Sequence, residues 1–265
     1  MGVESMKPHK IKNQLGFTVT EVMLAVICSS VLMVGLYQIF HSQQYNYIAQ
    51  GHAIELQQNL RSGIYLLTKD IRFSRYNPTE IEDKFGFTSK LDSYDIFSDT
   101  QDTDIDYTTD FDRIAFYTDK NEDGEFQLDI DPDNTDDAYD DGEEGEFIAY
   151  RLKGSSLQRF NSEKFAVDFN IANAWQTVST NVDALNFVFI NDAGVPTTDP
   201  AEARAVQISL LVRSSKKDHK YTNTTIYKNY QGDEICNYCS NDHYRRRLIR
   251  MTVRIRNAHI SKSTT

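Results

Sequence analysis

Several scarcities set the outer limits of what this chain can be. Cysteine occurs three times and histidine six times in 265 residues, with the histidines scattered, so neither a dense disulfide framework nor a paired-histidine metal site is written in the spacing. No glycine-rich phosphate loop follows a strand-like run and no nucleophile-elbow motif occurs, which removes the common nucleotide-binding and hydrolase signatures. The many carboxylates fall on loop-like segments, where paired acid and base roles need a burial that this sequence does not promise. No enzymatic activity is expected. Proline is also rare: of five, none lies between Pro8 and Pro78, so nothing in that stretch forces a helix to kink. Bases are outnumbered, 28 Lys and Arg against 39 Asp and Glu, for a formal charge of -11. Phosphate contacts need a surplus of cations on the binding face, so nucleic acid is not the expected partner.

The charge is uneven along the chain. Leu91–Tyr150 holds twenty-two Asp and Glu against two bases, Arg113 and Lys120, whereas the closing "RRRLIRMTVRIR" reverses the sign. Length allows one large domain or two small ones, with ample chain to bury a core.

The sequence has one long apolar run. Residues 1–15 are polar and carry Lys7, Lys10 and Lys12; after Gly16, the 24 residues Phe17–Phe40 are apolar apart from a few Thr and Ser, Glu21 and Gln38. At about 1.5 Å per residue this run spans a hydrocarbon core of roughly 30 Å, and the positive flank keeps the N-terminal side cytoplasmic. An ordinary secretory signal is cut after its apolar region. Here the well-placed small residue, Gly16, precedes it, and a cut there leaves Phe17 with a free amine and Glu21 as the fifth residue of the mature chain. A lone carboxylate in such a run is costly and usually faces a partner or a cavity.

The stretch "GFTVTEVMLA" resembles the type IV pilin signal, in which a prepilin peptidase cuts after Gly, the new N-terminal Phe is methylated and the Glu at mature position five is a hallmark. Gly16, Phe17 and Glu21 match in order. The resemblance implies a physical role for the acid: in a fibre, Glu21 pairs with the free amine of a neighbouring Phe17 and each buried charge neutralises the other.

Helical character continues to Pro78. Leu56, Leu60, Ile64, Leu67 and Ile71 recur at spacings of three and four, one apolar stripe on an amphipathic helix, and "RYNP" ends it because the residue before proline is pushed out of helical geometry. One nearly continuous helix from 17 to 76 is roughly 90 Å long, with Gly35, Gly51 and Gly63 as its weak points. "ELQQNLRSGIYLLTKDIRFSRYNP" resembles the helix end of PilW-type minor pilins, a group similar to the GspJ-type pseudopilins of type II secretion. "DRIAFYTDKNEDGEF", "EGEFIAYRLKGSSLQRF" and "LIRMTVRIRN" resemble the head of the same group, more loosely. On its own terms the head alternates with a period of two: Ile114 and Phe116; Ile148, Tyr150 and Leu152; Leu185, Phe187 and Phe189; Val206, Ile208, Leu210 and Val212; and Ile249, Met251, Val253 and Ile255 opposite Arg250, Thr252, Arg254 and Arg256. That pattern marks half-buried, mostly antiparallel strands.

Three features invite chemistry. In "DKNEDGEFQLDID", Asp119, Asn121 and Asp123 occupy positions one, three and five of a calcium loop, with Gly124 at six. Glu125 offers its carbonyl, and since Ile130 at position twelve cannot ligate, Asp129 or Asp131 must substitute. The alternative is a solvated acidic loop whose Asp, Asn and Gly are turn formers. Cys236 and Cys239 form "CNYC", which outside the cytoplasm favours a local disulfide; zinc with His243 would lack an evident fourth ligand, and a redox pair lacks its βαβ surroundings. Cys28 reads as a small apolar helix residue. Arg245, Arg246, Arg247, Arg250, Arg254 and Arg256 read either as a DNA-binding stripe or, preferably, as neutralising charges or a solvated strand face.

The expected architecture is thus α+β and pilin-like: a leader (1–16), a long N-terminal helix (17–76, with 17–40 transmembrane) and a β-rich periplasmic head (77–265) carrying the acidic loop 119–146. By resemblance the expected role is a minor pilin at the tip of a type IV pilus that helps initiate assembly. A GspJ-like pseudopilin is the close alternative; a tip adhesin or DNA-binding module and a signal-anchored periplasmic enzyme come from other classes. The implied partners are other minor and major pilins or pseudopilins, the prepilin peptidase, the inner-membrane assembly platform and, before assembly, membrane lipid. Calcium is the one cofactor with a motif.

Overall fold

The computed structural model describes residues 16–74, 86–88, 112–118, 147–160 and 174–256. A long helix α1 (Val19–Phe73) precedes strands β1 (Arg113–Tyr117), β2 (Phe147–Lys153), β3 (Ser156–Phe160), β4 (Trp175–Thr180), β5 (Val182–Ile190), β6 (Pro196–Thr197), β7 (Ala205–Arg213) and β8 (Arg246–Arg254). This is an α+β layout. Internal contacts divide the chain into two units, one up to Gly51 and one from His52 onward.

In the first unit the described chain from Val19 onward is helix. Its apolar side chains are exposed on all sides, Val22 at 52%, Met33 at 67% and Leu36 at 62%, and the helix is long and apolar enough to cross a membrane. A helix apolar all round with no protein against it is suited to lipid rather than water.

In the second unit the stripe anticipated from spacing is the buried face of α1: Leu56, Leu60, Leu67 and Ile71 are 6% exposed or less, and Ile64 packs partly buried beside them. Gly63 belongs to the same face. A Cβ there would lie 3.1 Å from Leu157 Cδ2 and 3.2 Å from Leu210 Cδ2, so its bare backbone lets helix and sheets approach closely. The sequence suggested a weak point; packing makes it a contact point.

The strands form two antiparallel sheets, ordered β1-β2-β3-β4 and β6-β5-β7-β8. Both present one face to a shared core with α1: Ile114, Phe116, Ile148, Tyr150 and Leu157 from the first, and Leu185, Phe187, Val206, Ile208, Leu210, Val253 and Ile255 from the second. The half-buried expectation fails for β2, β5 and β7, which are buried on both faces over most of their length. In the first sheet the second face carries an aromatic row, Tyr117–Phe147–Phe160–Trp175, with ring centroids 5.1–5.7 Å apart and Arg151 3.9 Å above Trp175. In the second sheet the β7–β8 connection folds back, so that Tyr227, Cys236 and Cys239 cover Ala184 and Leu211.

Candidate assembly site

The N-terminal site is built by four residues of backbone geometry. Thr18 precedes the first helical residue, Val19, and its Oγ1 accepts the Glu21 N–H at 3.3 Å. Glu21 Oε2 in turn accepts the Thr18 N–H at 2.9 Å and the Thr18 hydroxyl at 3.0 Å. This is a capping box, which satisfies helix-end donors reciprocally and places a negative charge where the helix dipole favours it. The T-x-x-E spacing that builds it is legible in the sequence. Gly16 and Phe17 lie just before the cap, with Phe17 88% exposed. The structure therefore gathers the three signal residues at one helix terminus and gives Glu21 a local hydrogen-bonding role within the subunit.

In the second unit, polar groups tie α1 to the first sheet. Asp70, 7% exposed on the apolar face of the helix, accepts from Tyr150 Oη at 2.6 Å and Arg159 Nε at 2.7 Å through the same Oδ2. Burial pushes the Tyr150 phenol well above its ordinary pKa; the Asp70 charge adds to this and Arg159 opposes it. Burial pulls down on the Arg159 guanidinium, but the charges and hydrogen bonds of Asp70 and Tyr150 together outweigh it and the pKa ends raised. Sequence reading missed this trio. Its one signal was an acid three residues after Leu67 on an otherwise apolar stripe.

Cys236 and Cys239 are disulfide-bonded, and the bridge is buried against the second sheet. Beside it runs an ion-pair network. Arg246, with its side chain 2% exposed, donates to Asp183 at 2.6 Å, to Asp242 at 2.7 and 2.6 Å and to the Cys239 carbonyl at 3.0 Å. Arg213 Nε lies 3.0 Å from the other Asp183 oxygen. Burial opposes the Arg246 charge, yet the hydrogen bonds to Asp242 and Asp183 raise its pKa; those same bonds hold Asp242 below the usual carboxylate range despite partial burial. With both sulfurs in the bridge the zinc reading loses two ligands, and His243 Nδ1 sits 2.6 Å from the Tyr221 carbonyl.

The six arginines do not form a uniform stripe. Arg245 pairs with Asp218 at 2.8 Å and Arg246 is enclosed as above, while Arg247, Arg250 and Arg254 are exposed on β8. Pairing with Asp183, Asp218 and Asp242 neutralises two of them within the fold. The candidate calcium ligands Asp119, Asn121, Asp123, Glu125, Asp129 and Asp131 lie outside the described residues, as does the rest of loop 119–146. Among the described residues no group of three His, Cys, Asp or Glu is placed to hold a metal.

A family model, PilW, the type IV pilus-assembly protein W, matches residues 163–257. That stretch is PilW-like. The PilW-like region takes in β4 to β8, hence the whole second sheet, the disulfide and its arginine network. The similarity supports involvement in type IV pilus assembly. No curated protein and no solved structure matches the chain.

Proposed function

We propose that this protein is a minor pilin, cut after Gly16 by a prepilin peptidase, methylated at Phe17 and assembled with other minor pilins at the tip of a type IV pilus, where it helps initiate assembly. One observation carries the reading: a lipid-suited helix that starts within three residues of Gly16, with Glu21 in its first turn, precedes a PilW-like head on the same chain. The lysine-rich flank favours a cytoplasmic N-terminus and an exported, periplasmic head. In the fibre the Glu21 carboxylate neutralises the Phe17 amine of a neighbour, exchanging its Thr18 bonds for a charged partner. Calcium at Asp119, Asn121, Asp123, Glu125 and Asp129 or Asp131 belongs to the same proposal, as an exported oxygen-rich loop favours that ion.

The test is the intact mass and N-terminal sequence of the membrane-extracted protein with and without active prepilin peptidase. A mature chain beginning at methylated Phe17 is expected; an uncut Met1, or a cut beyond Phe40, overturns the proposal. Deleting the protein should sharply reduce surface pili, and undiminished piliation refutes the initiating role. A calcium-dependent rise in the Tm of the detergent-solubilised chain, reversed by chelator, is the expected sign of the metal; an unchanged Tm removes calcium from the reading.

A further inference from the structure

The two edges of β5 are treated unequally. Along one, β7 pairs with it from Val182 to Ile190; along the other, β6 reaches only Phe189 and Ile190. Which backbone groups face the second edge follows from Ile190, whose carbonyl accepts the Arg204 N–H at 2.8 Å on the β7 side. Successive strand residues direct their N–H and C=O to opposite edges, so those of Leu185 and Phe187 point away from β7. Among the described residues no strand meets them.

A cavity of about 730 Å³ lies along this edge, lined by Leu185–Phe189 and by Asp112, Asn229, Asp233 and Glu234. Asn186, 8% exposed, also lines it. The Asn186 Oδ1 accepts from Asn229 Nδ2 at 3.4 Å, while its own Nδ2 donates to nothing among the described residues. Leu185 and Phe187 are 4% and 5% exposed, and buried backbone polar groups need partners. Those of Leu185 and Phe187 repeat at about 7 Å, two residues of strand rise, which is the repeat of another extended backbone.

Side-chain chemistry narrows the occupant. Leu185, Phe187 and Phe189 face the core and Asn186 faces the disulfide-loop side, so a strand added here presents alternate residues to an apolar and a polar environment. Asp233 and Glu234, both exposed, line the cavity, and beside them Asp112 is paired with Arg113 at 3.5 Å. We propose that the β5 edge is a docking site for an extended segment of a partner protein, added as a further strand, in which apolar residues alternate with Lys or Arg. Recognition by strand addition draws affinity from main-chain hydrogen bonds and specificity from alternate side chains. This surface lies in the head, apart from the Gly16–Glu21 site, and stands or falls separately from the processing and tip proposals.

The experiment uses the full chain in detergent micelles and follows amide exchange at Leu185 and Phe187, with Ile208 on the doubly paired β7 as reference. The probe is a capped ten-residue peptide alternating Val and Lys; the controls alternate Val and Glu, or carry N-methyl groups on every second peptide bond. In the free chain Leu185 and Phe187 should exchange at least tenfold faster than Ile208, and the Val–Lys peptide should slow both at least tenfold while neither control does. Glu234→Lys, at an exposed position, should weaken that peptide at least fivefold with an unchanged Tm. The proposal is overturned if the two amides are already as slow as Ile208, if protection appears elsewhere, or if the Val–Glu peptide protects equally. Protection that rises with protein concentration alone would assign the edge to a second copy and also overturn it.

Discussion

Asp70 shows how much one carboxylate can hold. It is the sole acceptor named above for both the Tyr150 hydroxyl and the Arg159 Nε, and its side chain is 9% exposed. Removing one member of a buried charge pair is costly because the other is left uncompensated. Asp70→Ala should therefore destabilise the head by about 3 kcal/mol, at the lower end of that range because the Arg159 side chain retains 24% exposure; denaturant unfolding of the detergent-solubilised chain measures it. Tyr150 adds a pH dependence. Its folded pKa is raised, so the folded state holds the proton more tightly than the unfolded chain. That contribution is fully present below the unfolded tyrosine value of about 10 and is lost as pH rises above it. Stability should fall more steeply above that pH in the native chain than in Tyr150→Phe; equal slopes would contradict the assignment. Asp242 works in the opposite direction: its lowered pKa contributes stability above the ordinary aspartate value of about 3.9, and this is lost on acidification below it.

At the scale of elements, two contacts decide how the head is assembled. Helix α1 meets β3 and β7 at Gly63, where an added Cβ falls at 3.1 and 3.2 Å from leucine methyls. Gly63→Ala should be nearly neutral, since flexible leucine ends can shift and Ala gains about 1 kcal/mol of helix propensity. Gly63→Val should cost about 1–3 kcal/mol through overpacking, and the pair of melting curves distinguishes close approach from backbone weakness. The β7–β8 connection is held by the Cys236–Cys239 bridge and by Arg246. Because the bridge closes a very short loop, its removal in a Cys236→Ala/Cys239→Ala chain should cost about 2 kcal/mol, at the low end for disulfides. Reductant should destabilise the native chain by a similar amount and leave the double variant unaffected.

For the whole molecule, the division at Gly51/His52 separates a lipid-suited helix from a unit with its own core. A chain beginning at His52 should stay soluble without detergent and melt cooperatively; aggregation or loss of the transition would show that the core depends on the preceding helix. The assembly proposal makes its own demand at this scale. Glu21→Ala should insert in the membrane and fold its head normally, yet enter pili at least tenfold less well, as read by the protein recovered in sheared fibres.

Much of this protein was legible in the sequence because it rests on periodicity and local spacing. The run Phe17–Phe40, the stripe from Leu56 to Ile71, the alternation of Ile249, Met251, Val253 and Ile255 and the short spacing of Cys236 and Cys239 all follow from residues near one another in the chain. Thr18 and Glu21 belong to that class too, three residues apart. What tertiary structure alone decided involves partners far apart in sequence. Asp70 meets Tyr150 and Arg159 across 80 and 89 residues, and Asp183 meets Arg246 across 63. The second buried face of β5 and β7 depends on a connection folding back over them. No local pattern encodes such contacts: burial of a polar residue is a property of what packs over it, and the chain supplies that cover only once it has folded.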